Sequence, residues 1–188
     1  PAQGAVQSVS VLSNGYVACG YINGRIDIYN MATGSSLINF NHGSNINDLE
    51  AMPTNGELLS VATTSNFINR WDTSTGSIIS QIDLGRDGFC LKLVDSNRVA
   101  AGLNNHEICI YDLNTGSLVK TLSGHSNRIR ELEFISPTST LISISEDNTV
   151  RRWNTADAST AHLNSIAVTA IPRSVEYVYF MSNFFFII

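Results

Sequence analysis

The chain has 188 residues, of which 43 % are hydrophobic and only 14 % charged, with eleven Lys and Arg against sixteen Asp and Glu for a net charge of −5. Nonspecific nucleic-acid binding runs on phosphate neutralisation by clustered cations, so this balance, with no basic block, argues against nucleic acid as a partner. The most apolar stretch, residues 177–188, is too short for a membrane span and is interrupted by Ser182 and Asn183.

In chain order, period-two alternation of apolar residues between turn residues marks a series of short, half-buried antiparallel strands. The first set falls near residues 6–12, 16–20, 25–29 and 37–40, joined by Asn14-Gly15 and Asn23-Gly24. Asn-Gly is a strong hairpin signal because both residues tolerate positive φ. The second set follows His42, near 46–52, 57–63, 67–71 and 78–82, and the third enters through Gly85–Gly88, near 90–94, 98–102, 107–111 and 118–122. The fourth begins at Gly124-His125 and carries apolar alternations through Ile129, Leu132 and Phe134 and through Leu141, Ile142 and Ile144. It then turns at Glu146-Asp147-Asn148 and reaches Trp153. Beyond Trp153 the spacing to the next His is only 9 residues, without a Thr-Gly turn, so the outer strand of the fourth set is expected to be short or missing. His162 is then expected to open a fifth, partial unit with strands near 166–171, 177–181 and 184–188.

The pairs Tyr29-Asn30, Trp71-Asp72, Tyr111-Asp112 and Trp153-Asn154 recur 42, 40 and 42 residues apart, and a Thr-Gly-Ser turn follows the first three. A period of about 40–45 residues punctuated by Gly-His and Trp-Asp is that of four-stranded propeller blades. The chain resembles the WD-repeat β-propeller family over nearly its whole length. The resemblance implies an all-β fold of four-stranded antiparallel blades, with units near 1–40, 41–83, 84–122 and 123–160 and a partial unit at 161–188. Lacking a strand at either end to complete the last blade, the chain is expected to form an incomplete or open ring, with exposed terminal blades able to self-associate.

In the fourth unit His125, Ser143, Asp147 and Trp153 stand at the family's spacing, which implies a buried chain of hydrogen bonds from turn carboxylate to imidazole, hydroxyl and indole. Buried polar groups of this kind need partners, and a satisfied network stiffens the blade. The other units replace the Asp by Asn23, Ser65 and Asn105, and are expected to be less rigid. A catalytic-triad reading of His125, Ser143 and Asp147 fails, because the register buries the hydroxyl between packed strands and no Gly-x-Ser-x-Gly elbow occurs. His42, His125 and His162 occupy one loop position in different units, so no metal site and no cofactor is expected.

Function is therefore expected on the surface. The resemblance implies partner-binding positions at Gln7, Ile22, Asn45, Asn47, Thr64, Cys90, Asn104, Arg128, Arg130 and Glu146, mostly amides and hydroxyls with one charged cluster on the fourth unit. The expected role is a noncatalytic scaffold that binds a partner peptide or domain. The alternatives are a purely structural part of a larger chain and an enzyme with a channel active site; the inner strands offer no clustered carboxylates for the latter. Cys19, Cys90 and Cys109 form an odd set with no Cys-x-x-Cys, and no glycosylation sequon occurs, which points to a reducing, cytoplasmic setting.

Overall fold

A computed structural model of the protein describes residues 4–54, 56–156, 162–168, 178–181 and 184–187. Each unit is a four-stranded antiparallel meander. The first sheet comprises β1 (Val6–Val11), β2 (Tyr16–Tyr21), β3 (Arg25–Asn30) and β4 (Ser35–Asn41). The second comprises β5 (Ile46–Ala51), β6 (Glu57–Ala62), β7 (Phe67–Asp72) and β8 (Ser77–Asp83). In the third are β9 (Gly88–Leu93), β10 (Arg98–Leu103), β11 (Ile108–Asp112) and β12 (Leu118–Leu122). In the fourth are β13 (Ile129–Ile135), β14 (Thr140–Ser145), β15 (Thr149–Asn154) and β16 (His162–Ala167). Strands β17 (Val178–Met181) and β18 (Phe184–Ile187) form a separate antiparallel pair.

The repeat signature has a local cause at the turn between third and fourth strands. The Oδ1 atoms of Asn30, Asp72 and Asp112 accept the backbone N–H groups two and three residues on. Gly34, Gly76 and Gly116 then close the turn at φ of 71°, 72° and 70°, a conformation that costs a side chain but not glycine. The fourth unit has Asn154 but no glycine, and its loop is longer. Even so, β16 pairs with β15 from Thr149↔Ala167 to Trp153↔His162. This corrects the expectation that the outer strand of the fourth unit is short or missing and that His162 opens a fifth unit. The Thr-Gly turn was the only local marker for that strand, and a longer connection delivers it without one. The rest of the expected first strand at 166–171, and the turn after it, lie outside the described residues.

The sheets pack face on face in series. Leu49, Leu58 and Trp71 of the second sheet bury against Ala18, Ile26 and Ile28 of the first, and the next two seams repeat the arrangement with Leu91, Val99 and Tyr111 and with Leu132, Leu141 and Trp153. Leu49, Leu91 and Leu132 are each 3 % exposed, while their register counterpart Val9 on the first sheet is 56 % exposed.

At each seam one glycine meets a branched side chain, and the glycine alternates sides. A Cβ on Gly20 would meet Ile46 Cγ2 at 2.6 Å; one on Gly88 would meet Val61 Cγ1 at 3.0 Å; one on Gly102 would meet Ile129 Cβ at 3.0 Å. Gly20, Val61 and Gly102 share one register position, and Ile46, Gly88 and Ile129 share the facing one. Close packing at each seam thus rests on one large and one absent side chain.

Gly20→Ala is expected to cost about 1–3 kcal/mol by overpacking, and Ile46→Ala about 2–5 kcal/mol by cavity formation. The double variant should lose clearly less than the two together, because the new methyl enters the vacated space. Urea denaturation of the four proteins measures this, and strict additivity would sink the size-pairing argument.

Candidate partner-binding site

The inner strand of every sheet opens with a β-bulge, because its register shifts by one residue against its neighbour: between Val6 and Ser8, Ile46 and Asp48, Gly88 and Cys90, and Ile129 and Glu131. A bulge re-aims the extra side chain. The four bulge residues are Gln7, Asn47, Phe89 and Arg130, and all four line a single cavity of about 460 Å³ along the inner strands. Phe89, not Cys90, therefore holds this position in the third sheet. Cys90 is buried at 2 % exposure, its thiol against the Ile129 carbonyl. The sequence reading was one residue off there because the third unit lacks the Gly-His marker and its inner strand opens at Gly88 rather than at a branched apolar residue.

Beneath this rim runs a polar relay in the fourth sheet. The Trp153 indole N–H donates to Ser143 Oγ at 2.8 Å, Ser143 Oγ meets His125 Nε2 at 2.6 Å, and His125 Nδ1 meets Asp147 Oδ2 at 2.8 Å. The indole can only donate and a carboxylate only accepts, so a neutral imidazole takes the Ser143 proton at Nε2 and donates from Nδ1. Trp153 and Ser143 are fully buried. Burial opposes the charge on Asp147, but hydrogen bonds from Thr149, His125 and the Ser126 N–H outweigh it and hold the carboxyl well below its usual range. Thr149 was not anticipated from sequence. The relay ties the loop at 123–128 to the turn at 146–148, and the Glu146 N–H donates to the Arg128 carbonyl at 2.9 Å.

The second sheet repeats the relay with a hydroxyl in place of the carboxylate. Trp71 Nε1 donates to Ser60 Oγ at 2.7 Å, Ser60 meets His42 Nδ1 at 2.7 Å, and His42 Nε2 meets Ser65 Oγ at 2.9 Å. Ser60 stands two residues after Leu58 as Ser143 stands two after Leu141, a register signal that sequence could have supplied. Burial without a countercharge pushes His42 down to about 4. The first sheet uses another set: fully buried Asp27 accepts from Arg25 Nε at 2.5 Å and from the Tyr29 hydroxyl at 3.1 Å.

The expected partner-binding residues divide. Asn45, Thr64, Asn104 and Arg130 are exposed. Asn47 is committed internally, donating to the Gly88 carbonyl at 2.8 Å and accepting from Thr63 Oγ1 at 2.9 Å, so its amide joins the second and third sheets. Arg130 pairs with Glu146 at 2.8 Å. Arg128 is half-buried, its guanidinium carbon 3.7 Å from the centroid of the Phe89 ring.

The inner strands do carry clustered carboxylates, contrary to the sequence reading. Asp48, Glu50, Glu131 and Glu133 line the cavity with Lys92 among them. Two of them stitch sheet to sheet: Asp48 accepts the Leu91 N–H at 2.8 Å and Glu50 the Leu93 N–H at 3.2 Å, as Ser8 and Ser10 accept from Leu49 and Ala51. Lys92 lies 3.8 Å from Glu50 and 2.9 Å from Glu133. Burial raises Glu50 to about 7, against the pull of Lys92 and the Leu93 N–H. Single-strand periodicity could not reveal this set, since its members come from β5 and β13. Among the described residues no His, Cys, Asp and Glu cluster has the arrangement of a metal site.

The family described as WD domain, G-beta repeat matches residues 116–154. The U3 small nucleolar RNA-associated protein 21 homolog of Schizosaccharomyces pombe is 28 % identical over 92 % of the chain and 20 % of its own length. The WD repeat-containing protein 89 homolog of Dictyostelium discoideum is 41 % identical over 44 % of the chain and 24 % of its own length. Human pre-mRNA-processing factor 17 is 24 % identical over 60 % of the chain and 20 % of its own length. The chain thus carries a WD repeat at residues 116–154, and its other three four-stranded sheets repeat the same meander. It spans a fifth to a quarter of the length of these curated relatives.

Two outcomes test the relay. Trp153→Ala removes a fully buried indole and strands Ser143, which is expected to cost about 3–5 kcal/mol in urea denaturation. His42 has a folded-state value below its ordinary 6.5, so its contribution is complete above about 6.5 and is lost as pH falls toward about 4. Ser65→Asp gives the second relay its missing carboxylate, raises His42 and is expected to flatten that acid loss. An unchanged midpoint-against-pH profile between 7 and 4 would count against the assignment.

Proposed function

We propose that this chain is a noncatalytic interaction module that holds a protein or peptide partner on the rim formed by Asn45, Thr64, Asn104, Arg128, Arg130 and Glu146. The observation that carries the reading is structural economy around the rim. Bulges, relays and inter-sheet hydrogen bonds spend buried polar groups on holding loops in place, while the loop tips present exposed side chains. The carboxylates of the inner-strand cavity support a scaffold rather than an active site, since Asp48 and Glu50 are engaged by backbone N–H groups and Glu133 by Lys92. Relatives described as nucleolar RNA-associated and pre-mRNA-processing proteins favour a place in an RNA-associated assembly over a purely cytoplasmic one. The net charge of −5 favours a protein component of such an assembly as the direct contact. The short share of each relative's length supports a second reading, in which these sheets are the structural part of a longer protein whose activity lies elsewhere.

Exposed substitutions, including the loss of an exposed ion pair such as Arg130–Glu146, usually change stability by no more than about 1 kcal/mol. Thr64→Lys, Asn104→Arg and Arg130→Glu combined should therefore leave the melting temperature in place while removing most proteins that crosslink to the full chain in a cell extract. A crosslinked set identical to wild type would move the interaction surface away from this rim.

A further inference from the structure

The rim contains one cation whose in-plane donors are not matched by a carboxylate. Arg128 stands at the junction of the third and fourth sheets, its guanidinium over the ring of Phe89 at 3.7 Å. Its Nε atom is buried with no hydrogen-bond partner among the described residues. Glu146 lies close enough for its charge to favour the Arg128 cation, but it gives its carboxylate to Arg130 at 2.8 Å and only its backbone N–H to the Arg128 carbonyl. A guanidinium lying over an aromatic ring uses its face for the ring and keeps its edge for an acceptor, and that edge fits a planar carboxylate. The backbone beneath is fixed as well: Ile129 is fully buried, and its carbonyl meets the Cys90 thiol of the next sheet. The donor is therefore held in place before any ligand arrives, which lowers the ordering cost of binding.

We infer that Arg128 on Phe89 is an anchoring seat for one acidic side chain, Asp or Glu, of a peptide partner. The inference rests on the rim reading above and names the chemistry of what docks there. Local charge selects a single carboxylate over a phosphate or a polyanion. The Arg130–Glu146 pair is internally balanced, Arg128 adds one positive charge, and Glu131 stands next to Arg130 in the sequence on a chain of net charge −5. A monoanion meets one cation; a dianion or a nucleic-acid backbone meets acidic neighbours as well. Burial and the neighbouring Arg130 already work against the charge on Arg128, and an incoming carboxylate relieves both.

The test selects phage-displayed random dodecapeptides on the full chain and measures enriched peptides by fluorescence polarisation. The expected set shares one Asp or Glu position. Replacing that acid by its amide, or making Arg128→Gln, should each weaken binding by about tenfold, as charge-assisted hydrogen bonds do. The two changes together should lose little more than either alone. Phe89→Leu should weaken the same peptides, and phosphoserine at the acidic position should bind less well than Glu. Melting temperatures verify the fold, and Arg128→Lys, which keeps charge but loses the planar fork, serves if Arg128→Gln does not fold. Failure to enrich any peptide overturns the inference, as does tighter binding of the phosphoserine form. Peptides that ignore Arg128→Gln but are lost in the Thr64→Lys, Asn104→Arg variant overturn the acidic seat and leave the rim as the partner surface. Peptides indifferent to all of these changes remove both.

Discussion

Everything in this molecule depends on how closely one sheet can approach the next. A single four-stranded meander buries only one face at a time, so its stability comes from the neighbour it leans on. At the three seams the approach is set by a glycine facing Ile46, Val61 or Ile129. The glycine changes sides from seam to seam, so no sheet repeats its neighbour's side-chain set although every sheet repeats its backbone. Around this contact lie the large buried residues, Trp71, Tyr111 and Trp153, one at each seam.

Close approach also determines where polar groups can go. With the inner strands side by side, Asp48 and Glu50 reach the backbone N–H groups of the third sheet, and Ser8 and Ser10 reach those of the second. Those carboxylates resemble a catalytic cluster in composition and act as a seam in geometry. The relays do similar work one layer out. Each indole must place its N–H, each finds a serine, and each serine orients a histidine that pins a loop to a turn. Rim side chains are therefore held by buried chemistry several residues away, which is how a surface made of loops acquires a defined shape.

Much of this was legible from residues alone. The repeat period, the sheet count and most strand bounds follow from alternation and from turn residues whose preferences are local: Asn-Gly for hairpins, Asp or Asn with Thr-Gly for the outer connection. His125, Ser143, Asp147 and Trp153 could be named together because they stand at the spacing of the WD-repeat family that the chain resembles. The reading failed where a local marker was missing. The outer strand at His162–Ala167 lacks the Thr-Gly turn, and the third unit, which opens at Gly88 without Gly-His, had its rim position set at Cys90 instead of Phe89.

The sequence by itself determined which segments are strands and where they turn, because these depend on interactions a few residues apart. Only the tertiary structure decided that Asn47 is a structural tie rather than a free amide, that Arg128 lies on Phe89, and that Asp48, Glu50 and Glu133 gather around Lys92. Each of these contacts joins residues about 40 or more positions apart, one from each of two neighbouring sheets. Their formation depends on the seam distance set by opposing side-chain volumes, a quantity that no single strand contains.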